Sequence, residues 1–201
     1  MSSITLSVMG TVDRTELRER TRKVVREEIA EAAFALFVRQ GFEQTTVEEI
    51  AEAVGMSRRS FFRYFPTKED TVFGYLYDMG QQLADMVSAR PTGEPPWTAL
   101  RKSFAVLCKG FEMRSETATE LLNLIFSTPT LRARHQDKQD HWRKLLTEAL
   151  RTRTSTPLEA DVLVSSALAV FDVACRQWLE QGAKEKPQVL LERAFAVLAP
   201  R

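Results

Sequence analysis

The stretch TVEEIAEAVGMSRRSFFRYF, residues 46–65, reads as two short helices joined by a tight turn. Thr46 stands where an N-cap is wanted, and Glu49 three residues on completes a capping box ahead of a helix over 47–54. Gly55 stops that helix, Ser57 caps the next over 58–65, and Pro66 ends it. Ile50 and Ala51 face inward on the first helix, and the small Ala51 lets the second cross close by. Val54, Met56, Phe61 and Phe65 supply the remaining apolar anchors. Arg58, Arg59, Ser60, Arg63 and Tyr64 are then left outward. This is the helix-turn-helix layout.

Working outward, the period stays helical. Val25, Ile29, Ala32, Ala33, Leu36 and Phe37 recur at three- and four-residue intervals ahead of Gly41. Thr67 with Asp70 is a further cap-like pair, opening a long helix to about Arg90. Pro91, Pro95 and Pro96 mark a linker. Helices follow over 97–114, 117–127 and 130–153, and Pro157 and Pro187 stand at the starts of the last two. No hairpin signal interrupts this pattern. The expectation is an all-α chain of about nine helices, three short ones over about 20–66, five longer ones over about 95–200, and the helix from Thr67 joining them.

Composition narrows the class. Of 201 residues, 44% are apolar and 27% charged, which excludes low-complexity and collagen-like sequence. The two cysteines, Cys108 and Cys175, lie far apart without a CxxC spacing, so neither a disulfide framework nor a zinc site is implied. No apolar run reaches the twenty or so residues of a membrane span, and no leader pattern opens the chain. A cytoplasmic protein is expected, with no membrane partner and no cofactor.

Charge speaks only through its placement, because 28 Lys and Arg nearly cancel 27 Asp and Glu. From Met56 to Thr67 there are three Arg and no acid, and from Arg14 to Arg26 six basic residues against two acidic. A nucleic-acid face is therefore local, made by the second helix and the segment before the first, with Glu48, Glu49 and Glu52 turned elsewhere. Arg58 and Arg59 occupy the first turn, from which Arg reaches the guanine O6 and N7 edge. Thr46, Tyr64 and Lys68 suit phosphates, contacts that position a protein on DNA without reading sequence.

Residues 20–76 resemble the DNA-binding domain of the TetR family of bacterial transcriptional regulators. The likeness rests on Ala33, Leu36, Phe37, Gly41 and Phe42, then Thr46, Ile50, Ala51, Val54 and Gly55, then Ser57, Phe62, Tyr64, Phe65, Lys68 and Glu69. It implies a three-helix DNA-reading head over 20–76, a ligand-binding and dimerisation body over 77–201, and a homodimer on near-palindromic, double-stranded operator DNA. It places Thr46, Tyr64 and Lys68 on phosphates, and Arg58, Arg59, Ser60 and Phe62 nearer the bases. Arg59 stands where members often carry Gly, so operator contacts do not transfer from those relatives.

In the body, the helix over 158–181 is apolar on nearly all sides, which calls for two packing partners. With the resemblance, the expectation is a two-fold four-helix interface made by Leu163, Ala167, Val170, Ala174, Leu191, Phe195 and Leu198, a single-chain core being the other reading. Candidate pocket walls are Met86, Trp97, Phe104, Cys108 and Phe111, with Leu122, Phe126, Trp142, Phe171 and Trp178, residues that serve an ordinary core equally well. No cluster of buried charge is expected. The segment TPTLRARHQDKQDHW, residues 128–142, resembles a subgroup that binds acyl-CoA-like ligands. That implies a small hydrophobic effector, with Arg132, Arg134 or Lys138 near an anionic head group or simply on a solvated basic face; the expected mechanism is a repressor that the effector releases from DNA. Two readings compete: an all-helical protein-interaction module, and a metal-binding helical enzyme. The enzyme lacks paired Glu-x-x-His motifs, and the single Asp137/His141 pair falls short of a metal site.

Overall fold

Thr46 and Glu49 exchange the two hydrogen bonds of a capping box: the Glu49 amide donates to Thr46 Oγ1 (3.2 Å), and the Thr46 amide to Glu49 Oε2 (2.8 Å). The first of these carboxylate bonds, from the Thr46 backbone, holds the Glu49 pKa below its ordinary value. The device recurs at Thr67 and Asp70, with bonds of 3.0 and 3.3 Å. Ser57 Oγ accepts from the Ser60 amide at 3.2 Å. Gly41 and Gly55 take φ of +88° and +67°, which lets the chain turn away from a helix end where a side chain would strain it.

The computed structural model describes residues 14–198. Among them are nine α-helices and no strand: α1 (Arg14–Gln40), α2 (Val47–Ala53), α3 (Arg58–Phe61), α4 (Glu69–Ser88), α5 (Pro96–Met113), α6 (Ser115–Ser127), α7 (Pro129–Leu150), α8 (Pro157–Glu180) and α9 (Pro187–Val197). A 3₁₀ turn, Arg151–Arg153, follows α7. The chain gathers into two compact units, one up to Thr71 and one from Val72.

Two elements depart from the sequence pattern. Helix α1 is already helical at Arg14, the first described residue, ahead of the expected start near residue 20; these turns carry no apolar stripe to announce them, and they are exposed and laced by pairs such as Glu16–Arg20 at 3.2 Å. Helix α3 is regular only to Phe61. Beyond it, the Arg63 and Tyr64 amides bond three residues back, to Ser60 and Phe61, before Phe65 returns to Phe61 O.

In the first unit Ile29, Ala33, Phe37, Ile50, Phe61 and Phe65 are buried, and Ala51 is buried where α2 meets α3. In the second, α8 is surrounded by α5, α6, α7 and α9 of its own chain. Of the residues expected at a two-fold interface, Ala167, Val170, Ala174, Leu191 and Phe195 are buried within the single chain, Leu163 is half-buried, and Leu198 is exposed. The two partners that an all-round apolar helix requires come from the same body, so those five side chains lie in its own core.

Candidate nucleic-acid interface and body cavity

On the head, Ser57 opens α3, and Arg58, Arg59, Phe62 and Arg63 are exposed around it, while Ser60 and Tyr64 are half-buried. Arg58 pairs with Glu48 of α2 at 3.1 Å, both side chains well exposed, so the pair is weak and open to exchange. The Arg59 and Arg63 guanidinium groups and the Tyr64 hydroxyl have no partner among the described residues. Phe62, 43% exposed, stands edge-on to buried Phe61.

Other basic residues are already engaged. Lys68 Nζ donates to the carbonyls of Phe42 (2.8 Å) and Thr45 (3.1 Å), and lies 4.3 Å from the Phe42 ring centroid. Arg26 donates to the Tyr64 carbonyl at 2.6 Å and sits 4.3 Å from the Phe65 ring centroid; Arg22 reaches the Arg63 carbonyl at 3.4 Å. The carbonyls left open where α3 ends are thus satisfied by α1. Counting charge along 14–26 assigned those arginines to a basic face; the fold spends two of them on a cap. Thr46 Oγ1 is likewise occupied, donating to Glu49 at 2.9 Å. Arg18, Arg22, Arg63 and Tyr64, with Leu17 and Thr21, border a groove of about 390 Å³.

The body holds a cavity with about 30 Å³ of free space. Five of the ten candidate wall residues line it: Phe111, Leu122, Phe126, Trp142 and Phe171. The other five do not. Trp97 and Phe104 pack tilted against Phe195, Cys108 is buried, Trp178 packs with Ala118 and Leu190, and Met86 is half-buried on α4. Leu76 and Met79 of α4 join the wall. Trp142 is the link between α7 and α4: its Nε1–H donates to the Leu76 carbonyl at 2.8 Å, and its ring lies where a Cβ on Gly80 would sit, 2.5 Å from that position.

The expectation of no buried charge is wrong. His135, Lys138, Gln139 and Asp172 all line the cavity, and the first three are buried. His135 Nε2 donates to Asp172 Oδ1 at 3.1 Å, while Arg176 Nε donates to Asp172 Oδ2 at 2.9 Å. Burial above all holds the His135 pKa below its ordinary value, against the pull of Asp172, so the imidazole is neutral at pH 7. Burial likewise pushes Lys138 down to about 8, opposed by Cys175 and Asp172. Arg132 is exposed and Arg134 half-buried. No group of three or more His, Cys, Asp or Glu suited to a metal occurs among the described residues, and none of their helices is long and apolar enough to cross a membrane.

Residues 29–72 match the family described as bacterial regulatory proteins, tetR family, and residues 94–201 match the MftR C-terminal domain. The chain belongs to the TetR family. It is a DNA-binding transcriptional regulator, in a family of regulators rather than enzymes. Similar proteins include the HTH-type transcriptional regulator TcmR of Streptomyces glaucescens, 30% identical over 98% of this chain and 92% of TcmR. Among solved structures, the TetR-family repressor FadR of Thermus thermophilus in complex with lauroyl-CoA has a TM-score of 0.62 at 23% identity, covering 88% of this chain and 96% of FadR. A TetR-family regulator of Syntrophomonas wolfei has a TM-score of 0.67 at 17% identity, covering 89% of this chain and 93% of the other. These likenesses carry the TetR fold; regulators of this kind bind operators as dimers and respond to small molecules.

Proposed function

We propose that this TetR-family regulator is a homodimeric repressor, released from a near-palindromic operator by a small hydrophobic molecule in the body cavity. The observation that carries the reading is Trp142: it lines the cavity and is bonded to the backbone of α4, one unbroken helix from Glu69 to Ser88. A ligand that displaces Trp142 displaces α4 and respaces the two heads. It must bind the DNA-incompetent arrangement better, or no shift follows. Arg59 and Arg63, with Phe62, then read bases, and the Tyr64 hydroxyl and Arg58 take phosphates.

The dimer face is α8's outer stripe, not its buried one. Leu158, Val162, Ala169 and Val173 recur at four- and seven-residue steps and are exposed, which supports helix pairing with a second copy. Two heads held this way would meet successive major grooves about 34–36 Å apart. The resemblance of residues 128–142 and the lauroyl-CoA in the Thermus FadR complex make an acyl-CoA the first effector to test. The test is fluorescence anisotropy on DNA upstream of the protein's own gene against random DNA, at stated salt, with and without dodecanoyl-CoA. Preference for the upstream DNA at two subunits per site supports the operator reading; equal binding to both defeats it.

A further inference from the structure

On α7, His135, Lys138, Gln139 and Trp142 fall at spacings of three and four, along one face of one helix, and all four line the body cavity. Lys138 is 3% exposed. Its ammonium lies 4.1 Å from the Trp142 ring centroid and makes no hydrogen bond or ion pair among the described residues. The one carboxylate at the cavity, Asp172, is already taken by His135 and Arg176. With His135 Nε2 donating to Asp172, and the Gln139 amide 3.2 Å from that same Nε2, the His135 Nδ1 is an acceptor that meets no donor among the described residues. A buried ammonium without a direct ion pair is costly, and so is a buried acceptor left open. Met at 138 would fill the same wall without that cost. The cluster is built for something that enters.

We propose that the cavity receives an aromatic hydroxycarboxylic acid: its carboxylate pairs with Lys138, its hydroxyl donates to His135 Nδ1, and its rings lie among Phe111, Phe126 and Phe171. This rests on reading the cavity as the effector site, and it sets a free acid against the thioester that the resemblance suggests. A thioester carbonyl carries no charge for Lys138, and several phosphates exceed what one enclosed ammonium serves. Free space of about 30 Å³ holds about one water, so any such acid enters by displacing side chains, Trp142 among them. Pairing with a carboxylate restores the proton affinity of Lys138, so binding near pH 8 takes protons up from the buffer. The other titratable groups at the site are His135 on α7 and Asp172, Cys175 and Arg176 on α8; α4, α5 and α6 present only apolar side chains to it.

The experiment is calorimetry and equilibrium dialysis on the full chain without DNA, using 3-hydroxy-2-naphthoate, its methyl ester and dodecanoyl-CoA. The acid should bind about ten- to a hundred-fold more tightly than the ester. Heats measured in buffers of different ionisation enthalpy should report proton uptake. Lys138→Met should bind acid and ester alike and abolish the uptake, its retained ester binding and melting transition showing that it folds; Lys138→Arg should keep the acid preference. Equal binding of acid and ester by the parent protein, a preference that survives Lys138→Met, or binding of dodecanoyl-CoA but not the acid at millimolar concentration would each overturn the proposal. None of these outcomes depends on an operator. The regulator reading stands or falls separately, on the anisotropy measurement.

Discussion

Two lysines set the head and the body against each other. Lys68 and Lys138 each hold the ammonium just over 4 Å from an aromatic ring centroid, Phe42 in one case and Trp142 in the other. Lys68 also reaches two carbonyls, so its charge fastens the turn between α1 and α2. Lys138 reaches none, and burial lowers its proton affinity instead. The same side chain is a structural clamp where unpaired backbone oxygens are at hand, and a receptor for an anion where they are absent. The head spends its internal polar groups on caps and keeps free charge outside, whereas the body keeps free charge inside.

The largest blow to this contrast is Phe61→Ala. It empties a fully buried site at the head and should cost about 3–5 kcal/mol. Hydrogen exchange should then rise across α1–α3 while α5–α9 keep their protection; uniform loss would show that the units do not have separate stabilities.

Lys138→Met acts in the opposite direction. The folded pKa of about 8 lies below the ordinary 10.5, so the unfolded chain binds more protons between those values. Stability therefore rises as pH climbs from about 8 to 10.5, and below 8 the buried charge costs about 3 kcal/mol. The substitution should raise the denaturation midpoint at pH 7 and flatten that rise. An unchanged midpoint would mean that the ammonium is solvated.

Lys68→Met should lose about 1.5–3 kcal/mol from the head, since both bonds are charge-assisted. Its DNA affinity should fall on all sequences in step with head unfolding, as chemical denaturation beside anisotropy would reveal. Arg59→Ala is the mildest for the fold, within about 0.5 kcal/mol, because the side chain is exposed and unpaired. It should nevertheless lose roughly 1–3 kcal/mol of discrimination between operator and random DNA. Equal losses on both DNAs would move Arg59 from base reading to phosphate contact.

Much of the head was legible because its signals are local. Thr46 with Glu49, Ser57 ahead of α3, and Thr67 with Asp70 are caps whose partners lie three residues away, so spacing alone exposes them. The bonds of Lys68 were not legible because its partners are 26 and 23 residues back, nor that of Arg26 because its partner is 38 residues on. The α7 stripe was readable but passed over. Leu131, Trp142, Leu146 and Leu150 are buried, and stepping between them by three and four lands on His135 and Lys138. Polar residue types suggested a solvated face, whereas the phase of their apolar neighbours pointed inward.

The amino-acid sequence by itself determined the helical class, the helix ends and the helix-turn-helix, because each depends on interactions within a turn or two of chain. Only the tertiary structure decided which face of α8 is core, which arginines are spent on caps, and that Lys138 makes no hydrogen bond or ion pair among the described residues. Those depend on what lies across the space between helices, and a helix's own periodicity reports that a face is buried without saying what meets it.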